Sequence, residues 1–266
     1  MNIIEAIILG IVQGITEFLP VSSSGHLQIV KALLGVELEE NITFDLALHA
    51  GTVCSTILVL WPEIAKIFRG FFSRTFNSEQ AYVIKIAISM IPVAIVGFTL
   101  EDALNEMLAS PLIMIVVGSM LLITAILLAF ASYATPRLKE QISYRDSILI
   151  GVAQAVAVMP GISRSGATIA TGLILGNKKE SVAQFSFLMV LVPILGKSFL
   201  SLVGGDAAIE SVGIAAMSAG FLASFAVGVL ACKFMINIIK RGKLIWFAYY
   251  CLAAAIFSYA LYFFNS

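Results

Sequence analysis

The stretch from Gln13 to His26, QGITEFLPVSSSGH, places a polar break inside an otherwise apolar amino-terminal segment. Its framework occurs twice: Gly10-x-x-Gln13, Ser22-x-Ser24-Gly25 and Gly35 return as Gly151-x-x-Gln154, Ser163-x-Ser165-Gly166 and Gly176. Each copy is an apolar run, a Ser/Gly break with a proline just before it, and a second short apolar run. A polar break repeated in this way indicates two broken membrane helices that meet at a functional site.

The composition indicates an integral membrane protein with the bilayer as its partner. Of the 266 residues, 60% are hydrophobic and 12% charged, and the mean hydropathy is +1.01, whereas soluble domains carry about 25% charged residues. The net charge is zero, and no basic patch indicates a nucleic-acid partner. Cys54, Cys232 and Cys251 stand singly in apolar stretches, which favours small buried hydrophobic side chains over a disulfide or a metal site.

The hydropathy pattern predicts six spanning helices and two re-entrant hairpins. A spanning helix needs about 20 apolar residues, and six segments have them: 44–62, 82–100, 111–131, 182–203, 212–231 and 244–263. The regions 1–36 and 147–177 instead consist of two apolar half-segments around a polar break. Each is predicted to enter the membrane and return to the same side, with its break buried in protein or lining a wet cavity.

The distribution of charge predicts how the chain crosses the membrane. All Lys and Arg residues except Lys31, Arg164 and Lys197 lie in four segments, 63–85, 132–145, 177–181 and 232–243. The other connections are acidic: Glu37, Glu39 and Glu40, then Glu101, Asp102 and Glu106, then Asp206 and Glu210. With the basic loops in the cytoplasm, the first hairpin enters from outside and the second from the cytoplasm.

These observations predict an all-α polytopic membrane protein with a single integral membrane domain over residues 1–266. Its two halves, 1–131 and 145–266, would each contain one re-entrant hairpin and three transmembrane helices. Because three is odd, the second half is inverted relative to the first, which makes the fold an inverted-topology repeat with its interface near the bilayer midplane.

Three titratable side chains stand where apolar ones are expected: Glu17, His26 and Arg164. A charge at membrane depth costs about 2.5–3.5 kcal/mol, which is tolerable if the residues line a wet cavity or bind a ligand. A purely structural Glu17–Arg164 pair that holds the two hairpins together is the alternative, but it leaves the surrounding hydroxyls and His26 unexplained.

The two breaks are also predicted to bind phosphate. A helix is expected to start after each break, and helix starts present free N–H groups and a positive dipole end to an anion. Arg164 can hold two oxygens at once. The candidate phosphate-binding residues are Arg164, Ser22, Ser24, Ser163, Ser165, Gly166 and Thr168. Ser22 and Ser163 have the alternative of serving only as N-caps.

The candidate catalytic residues are Ser23 and His26 in the first break, Glu17 just before it, and Arg164 in the second break. Ser23 lies three residues before His26, the best general base in the chain, so a hydroxyl nucleophile, an imidazole and the Arg164 guanidinium suit phosphoryl transfer. Glu17 lies one helical turn after Gln13. Carboxylate and amide oxygens are ligands for Mg²⁺ or Ca²⁺, which makes Glu17 and Gln13 the candidate metal ligands.

Other polar residues in apolar segments receive weaker assignments. Asp45 and His49 are one helical turn apart near the outer end of a span, and are interpreted as an interfacial pair rather than a second site. Lys197 is expected to extend to the interface. Lys31 has two alternatives, extending in the same way or meeting an anionic headgroup.

The two breaks resemble the signature motifs of a known family. The stretch from Gln13 to His26 and the stretch PGISRSGAT from Pro160 to Thr168 are similar to those of the bacterial undecaprenyl-diphosphate phosphatases of the BacA type, which are linked to bacitracin resistance. The likeness extends over nearly the whole chain. It implies hydrolysis of undecaprenyl diphosphate to undecaprenyl phosphate and inorganic phosphate, which recycles the lipid carrier for peptidoglycan.

The resemblance has further implications for fold and site. It implies an inverted repeat in the bacterial cytoplasmic (inner) membrane, a homodimer, a site open to the outer face, and a need for a divalent cation. Its serine, histidine and arginine candidates fall on Ser23, His26 and Arg164. Gln13 stands where many members have a carboxylate, which weakens a two-carboxylate metal site, and Ser24 stands where many have Thr.

Two questions stay open at this point. The nucleophile can be Ser23, His26 or water. A polyprenyl-phosphate flippase is the rival function, because carriers also use inverted repeats with broken helices, although a flippase does not need the Ser23–His26 combination.

Overall fold

A computed structural model describes residues 1–36, 42–134, 139–204, 212–241 and 243–265. Some charged residues used to predict the membrane crossing lie outside the described part of the chain: Glu37, Glu39, Glu40, Arg137, Asp206, Glu210 and the side chains of Glu101 and Lys197.

The described chain is all-helical, as predicted. Its twelve helices are α1 (Ile3–Thr16), α2 (Ser23–Leu34), α3 (Ile42–Val59), α4 (Trp61–Phe71), α5 (Ser78–Thr99), α6 (Glu101–Ala109), α7 (Ile113–Tyr133), α8 (Tyr144–Val156), α9 (Arg164–Ile174), α10 (Lys179–Gly204), α11 (Ile214–Arg241) and α12 (Ile245–Asn265). Five of them, α5, α7, α10, α11 and α12, are long and apolar enough to cross a bilayer, and α3 with α4 makes a sixth candidate. Each predicted span therefore coincides with a helix.

The first predicted span, 44–62, differs from expectation at its carboxyl-terminal end. The helix breaks at Leu60, and α4 leaves at an angle of 77° to α3. A proline in the first turn of α4 suits this new start. None of its residues is fully buried, but Ile64 and Ile67 pack against the core. The helix therefore turns along the body of the protein instead of prolonging the span. Helix α6, which follows α5 directly, was likewise not predicted.

The two predicted hairpins are pairs of short helices, α1 with α2 and α8 with α9. The longest of the four, α1, has 14 residues and is about 21 Å long at 1.5 Å per residue, too short for a core of about 30 Å. The partners of each pair pack against each other. The repeated glycines Gly35 and Gly176 end the hairpins with φ of 66° and 85°, a conformation that only glycine adopts without strain.

Each hairpin packs into the opposite half of the chain. Helix α1 lies along α11 and α8 lies along α5. The repeated glycines Gly10 and Gly151 permit this approach, since a Cβ at either position would overlap a backbone carbonyl, that of Gly220 or that of Ser89. Helices α7 and α12, the last of each half, also pack together.

The two breaks are in direct contact. A Cβ placed on Gly25 would lie 3.3 Å from Gly161 Cα, and one on Gly166 would lie 3.3 Å from Pro20 Cβ. The small residues at the helix starts therefore let the two polar turns meet in the interior, as the repeated pattern predicted.

Candidate active site

An ion pair joins the two breaks. Glu17 follows α1, Arg164 is the first residue of α9, and Arg164 Nη2 donates to Glu17 Oε1 at 2.8 Å. The Glu17 side chain is 7% exposed and the Arg164 side chain 26%. The carboxylate is therefore enclosed, whereas the guanidinium keeps an open side from which it can reach a ligand.

Ser23 and Gln13 share the other oxygen of the same carboxylate. Ser23 Oγ donates to Glu17 Oε2 at 2.6 Å, and Gln13 Nε2 donates to it at 2.9 Å. Three other predicted site residues, Gln13, Ser23 and Arg164, thus bond to the two carboxylate oxygens of Glu17. A hydroxyl beside a buried carboxylate and a partly open guanidinium is an arrangement that suits attack on an anionic phosphorus centre.

His26 faces away from this cluster. Its Nδ1 lies 2.9 Å from Ser22 O, and its Nε2 lies 2.8 Å from the hydroxyl of Tyr250. Because a carbonyl only accepts, Nδ1 carries the proton, and Nε2 then accepts from Tyr250 in the neutral ring. Although Ser23 and His26 both belong to the described chain, they share no hydrogen bond with each other.

Ser22 and Ser163 are N-caps, as their positions predicted. Ser22 Oγ accepts from Gly25 N at 3.2 Å at the start of α2, and Ser163 Oγ accepts from Gly166 N at 3.0 Å at the start of α9. Ser22 does so with φ of 71°, a left-handed conformation that costs a non-glycine residue about 1–3 kcal/mol. Its carbonyl is the one that holds His26.

The remaining phosphate-binding candidates lie around the same two helix starts. Ser165 Oγ donates to Leu19 O at 3.2 Å, so it ties the second break to the first. Thr168 is fully buried and bonds to Arg164 O and to Ser186. Ser24 is the least enclosed of the serines in the first break. Binding of phosphate by these residues stays a prediction.

A cavity opens beside the ion pair, between α3 and α10. Its lining includes five charged or polar residues, Glu17, Thr52, Thr56, Arg164 and Ser165. The other lining residues are apolar: Phe18, Val53, Phe187, Val190, Leu191 and Ile194. The cavity therefore offers both a charged group for an anionic head and apolar surface for a hydrocarbon chain.

Comparison with known proteins identifies the family of this chain. Residues 6–257 match the family described as bacitracin resistance protein BacA. The chain belongs to this family. It is 55% identical to an undecaprenyl-diphosphatase of Parabacteroides distasonis, with 98% of each chain covered. It is 54% identical to one of Bacteroides fragilis over 94% of this chain and 95% of the relative, and 47% identical to one of Christiangramia forsetii over 98% and 100%. The resemblance seen in the motifs is confirmed.

Two residues of this BacA family member join the site without having been predicted there. His49 Nδ1 lies 2.9 Å from Gln13 Nε2 and 3.6 Å from Glu17 Oε2. Tyr250 stacks on the ring of His26 with centroids 5.5 Å apart, in addition to its hydrogen bond. The sequence did offer a signal for His49, because it is a polar residue inside the apolar span 44–62. It offered no signal for Tyr250, which is one of several aromatic residues in the last span.

The interpretation of Asp45 and His49 as an interfacial pair needs correction. Asp45 forms a salt bridge with Lys31 at 2.7 Å, and His49 belongs to the Glu17 cluster. Lys31 is only 1% exposed. The Lys31 ammonium is therefore not extended to the surface but pairs with Asp45, whose side chain is 32% exposed; contact with an anionic headgroup stays a prediction.

The predicted cation ligands of this BacA family member include one oxygen without a hydrogen-bond partner. Gln13 Oε1 is buried and has no hydrogen-bond partner, as expected of an oxygen available to a cation. Within the described ranges, no three His, Cys, Asp or Glu side chains form a metal cluster. A site with few protein ligands suits Mg²⁺, which keeps several waters and binds substrate phosphate oxygens.

Proposed function

We propose that this protein hydrolyses undecaprenyl diphosphate to undecaprenyl phosphate and inorganic phosphate. Membership of the BacA family and relatives named undecaprenyl-diphosphatase over nearly their full length support this activity. The observation that carries it is the convergence of Ser23, Glu17 and Arg164 at the contact between the two breaks. The product is the lipid carrier for peptidoglycan and other cell-wall polymers, and its regeneration accounts for bacitracin resistance, because bacitracin sequesters the diphosphate.

The substrate would lie across the cavity between α3 and α10. Its diphosphate would meet Arg164 and the free N–H groups at the starts of α2 and α9. The first isoprene units would lie on the apolar wall, which includes Phe187 and Leu191, and the rest of the tail would stay in lipid. This placement is supported by the mixed lining of the cavity, in which Arg164 and apolar side chains both take part.

The chemical step would use Ser23 as the nucleophile. Its Oγ forms a bond to the terminal phosphorus while the bond from that phosphorus to the bridging oxygen breaks, which releases undecaprenyl phosphate. The hydroxyl proton passes along the existing hydrogen bond to Glu17 Oε2. Water then hydrolyses the phosphoserine and releases inorganic phosphate.

The geometry favours Glu17 as the base that accepts the Ser23 proton, whereas the sequence favoured His26 in that role. For His26 to act on Ser23, Tyr250 would first have to release Nε2. The two alternatives, His26 as nucleophile and direct attack by water, are tested by trapping. Phosphate mapped to Ser23 supports the serine mechanism, phosphate on His26 contradicts it, and a reproducible lack of any adduct favours direct attack by water.

A divalent cation, Mg²⁺ or Ca²⁺, would bind at Glu17 and Gln13. It would draw negative charge from the phosphate oxygens during displacement. The unpartnered Oε1 of Gln13 supports this assignment.

We also infer the inverted-topology repeat. Helices α1 and α8 pack on α11 and α5 respectively, and α3 and α10 pack on the same two helices, so exchanging the halves reproduces the contacts. With the basic loops inside, the protein would lie in the bacterial inner membrane with its site open to the outer face. A homodimer, which the resemblance implies, would be tested by cross-linking in membranes.

The decisive experiment measures phosphate release by the purified full-length protein in detergent. The substrate is undecaprenyl diphosphate with Mg²⁺ or Ca²⁺. Wild type should release phosphate, Ser23→Ala should lower the rate by at least about 100-fold, and Ser73→Ala, a change in an exposed loop, should leave it unchanged.

The same experiment separates the enzyme from a flippase. A flippase would move the lipid between leaflets and release no phosphate. No release by wild type, with headgroup translocation in vesicles that depends on Arg164, would contradict the phosphatase and support the transporter.

A further inference from the structure

The candidate cation site contains a third polar side chain that the sequence did not assign to it. His49 comes from α3, whereas Gln13 belongs to α1 and Glu17 follows it. The amide nitrogen of Gln13 lies 2.9 Å from both Glu17 Oε2 and His49 Nδ1, and those two atoms are 3.6 Å apart. Three polar atoms on separate parts of the chain therefore form a small triangle.

The spacing of this triangle matches the ligands of a single cation. Two ligands about 2.1 Å from one metal and at right angles to each other lie about 3 Å apart. The triangle has sides of 2.9, 2.9 and 3.6 Å. Its atoms are drawn from a carboxylate, an imidazole and an amide, and all three groups are known metal ligands.

The Gln13 amide gives an independent reason to expect a ligand here. With its NH₂ group between Glu17 and His49, the buried Oε1 is left without a partner. Rotation of the amide by 180° would turn Oε1 toward Glu17 and His49, and with the His49 proton on Nε2 three acceptor atoms would then converge. Such an arrangement is repulsive unless a cation sits among them.

We propose that His49 is a direct ligand of the divalent cation, together with Glu17 Oε2 and Gln13 Oε1. This inference rests on the cation of the proposed function and extends it, because it changes an all-oxygen site into a mixed oxygen and nitrogen site. Imidazole nitrogen is a better ligand for first-row transition metals than for Mg²⁺ or Ca²⁺. The site is therefore expected to bind Mn²⁺ more tightly than either.

Charge predicts when the cation binds. Glu17 is already neutralised by Arg164, so a dication alone would leave the pocket with excess positive charge. A diphosphate removes that excess. Binding of the cation is thus coupled to the headgroup, and the experiment must include an analogue of it.

The test is pulsed electron paramagnetic resonance on Mn²⁺ bound to the full-length protein in detergent with methylenediphosphonate. Direct coordination by imidazole gives a ¹⁴N modulation of the Mn²⁺ echo. Labelling with ¹⁵N-histidine should replace it with a ¹⁵N pattern, which excludes the nitrogens of Gln13 and Arg164. The chain has two histidines, so the modulation should persist in His26→Gln and disappear in His49→Gln.

Binding measurements provide the second readout. His49→Gln is expected to weaken Mn²⁺ binding by about 10-fold or more and to change Ca²⁺ binding by less than about 3-fold. The labelled His26→Gln protein keeps the test valid if His49→Gln fails to fold, because His49 is then the only histidine.

The outcomes distinguish this inference from the proposed function. Bound Mn²⁺ without histidine coupling in wild type would overturn the role of His49 and leave the phosphatase intact. Failure of wild type to bind Mn²⁺ with the diphosphonate would overturn the cation site and this inference together. Phosphate release in the presence of a chelator would then show whether hydrolysis proceeds without the cation.

Discussion

The shape of the Arg164 side chain lets it serve Glu17 and a ligand at the same time. One guanidinium nitrogen bonds to Glu17 at 2.8 Å, and a quarter of the side chain is open. A planar group with five N–H donors can keep that bond and still hold a phosphate oxygen, whereas a lysine ammonium is a single point charge.

We expect Arg164→Lys to lower kcat by at least about 100-fold with the fold retained. The charge that pairs with Glu17 remains, but the second set of donors is lost. Phosphate release measures activity, and thermal unfolding in detergent measures the fold. Near-normal turnover would show that Arg164 acts only as the structural partner of Glu17.

Tyr250 positions His26 through two separable contacts, a hydrogen bond at 2.8 Å and a stacked ring. Tyr250→Phe keeps the stack and removes the hydroxyl. It is expected to lower kcat by about 3- to 10-fold, because a neutral hydrogen bond, about 0.5–1.5 kcal/mol, holds the His26 ring on the carbonyl of Ser22, the residue directly before Ser23. Tyr250→Ala should lower it further.

The adjacent Tyr249 provides a matched control for this prediction. Tyr249 is exposed and contacts Trp246 instead of His26, so Tyr249→Phe should match wild type. Equal activities for wild type, Tyr250→Phe and Tyr250→Ala would exclude a positioning role for Tyr250.

At the scale of helices, the repeated glycines are needed for the close packing of the hairpins. Gly10→Ala would force a methyl group into the carbonyl of Gly220 on α11. We expect it to destabilise the protein by about 1–3 kcal/mol, the usual cost of overpacking. Gly151→Ala should have the same effect, because its Cβ would meet Ser89 on α5.

Gly97→Ala is the control for this pair. Gly97 is also inside a helix, α5, but a Cβ there meets nothing within 4 Å. This substitution should be neutral or stabilising, because alanine is the better helix former. Unfolding temperatures of the three variants in one detergent decide the matter, and an equal loss in all three would contradict the packing argument.

For the whole molecule, the proposed inverted repeat requires that three membrane crossings separate the hairpins. Single cysteines would be introduced into a protein in which Cys54, Cys232 and Cys251 are replaced by alanine. Thr75→Cys and Gln141→Cys, both in exposed loops, should react with a membrane-impermeant maleimide only after cells are broken. Ala109→Cys, at the exposed end of α6, should react in intact spheroplasts. Labelling of all three in spheroplasts, or of none, would contradict the topology.

Much of the architecture could be predicted from local sequence, because its causes are local. A run of about 20 apolar residues predicts a spanning helix wherever it occurs, and the six predicted segments coincide with helices. A serine directly before a helix start predicts an N-cap, as Ser22 and Ser163 show by accepting from the glycine three residues later. The bend at Leu60 was missed because the apolar run continues across it.

The pairing of the two breaks was also predictable, from repetition and charge. Glu17 and Arg164 are each costly in an apolar segment, and their opposite charges favour the contact that the structure contains.

Only the tertiary structure decided which other side chains complete the site. His49 reaches Gln13 from 36 residues away and Tyr250 reaches His26 from 224 residues away. The rotation of α3 and of α12 about their axes sets those contacts, and packing against distant helices determines that rotation. The sequence thus determined that two polar breaks exist and which polar side chains they contain. The fold determined that Ser23 faces Glu17 while His26 faces Tyr250, because helix packing orients side chains that neighbour each other along the chain toward different partners.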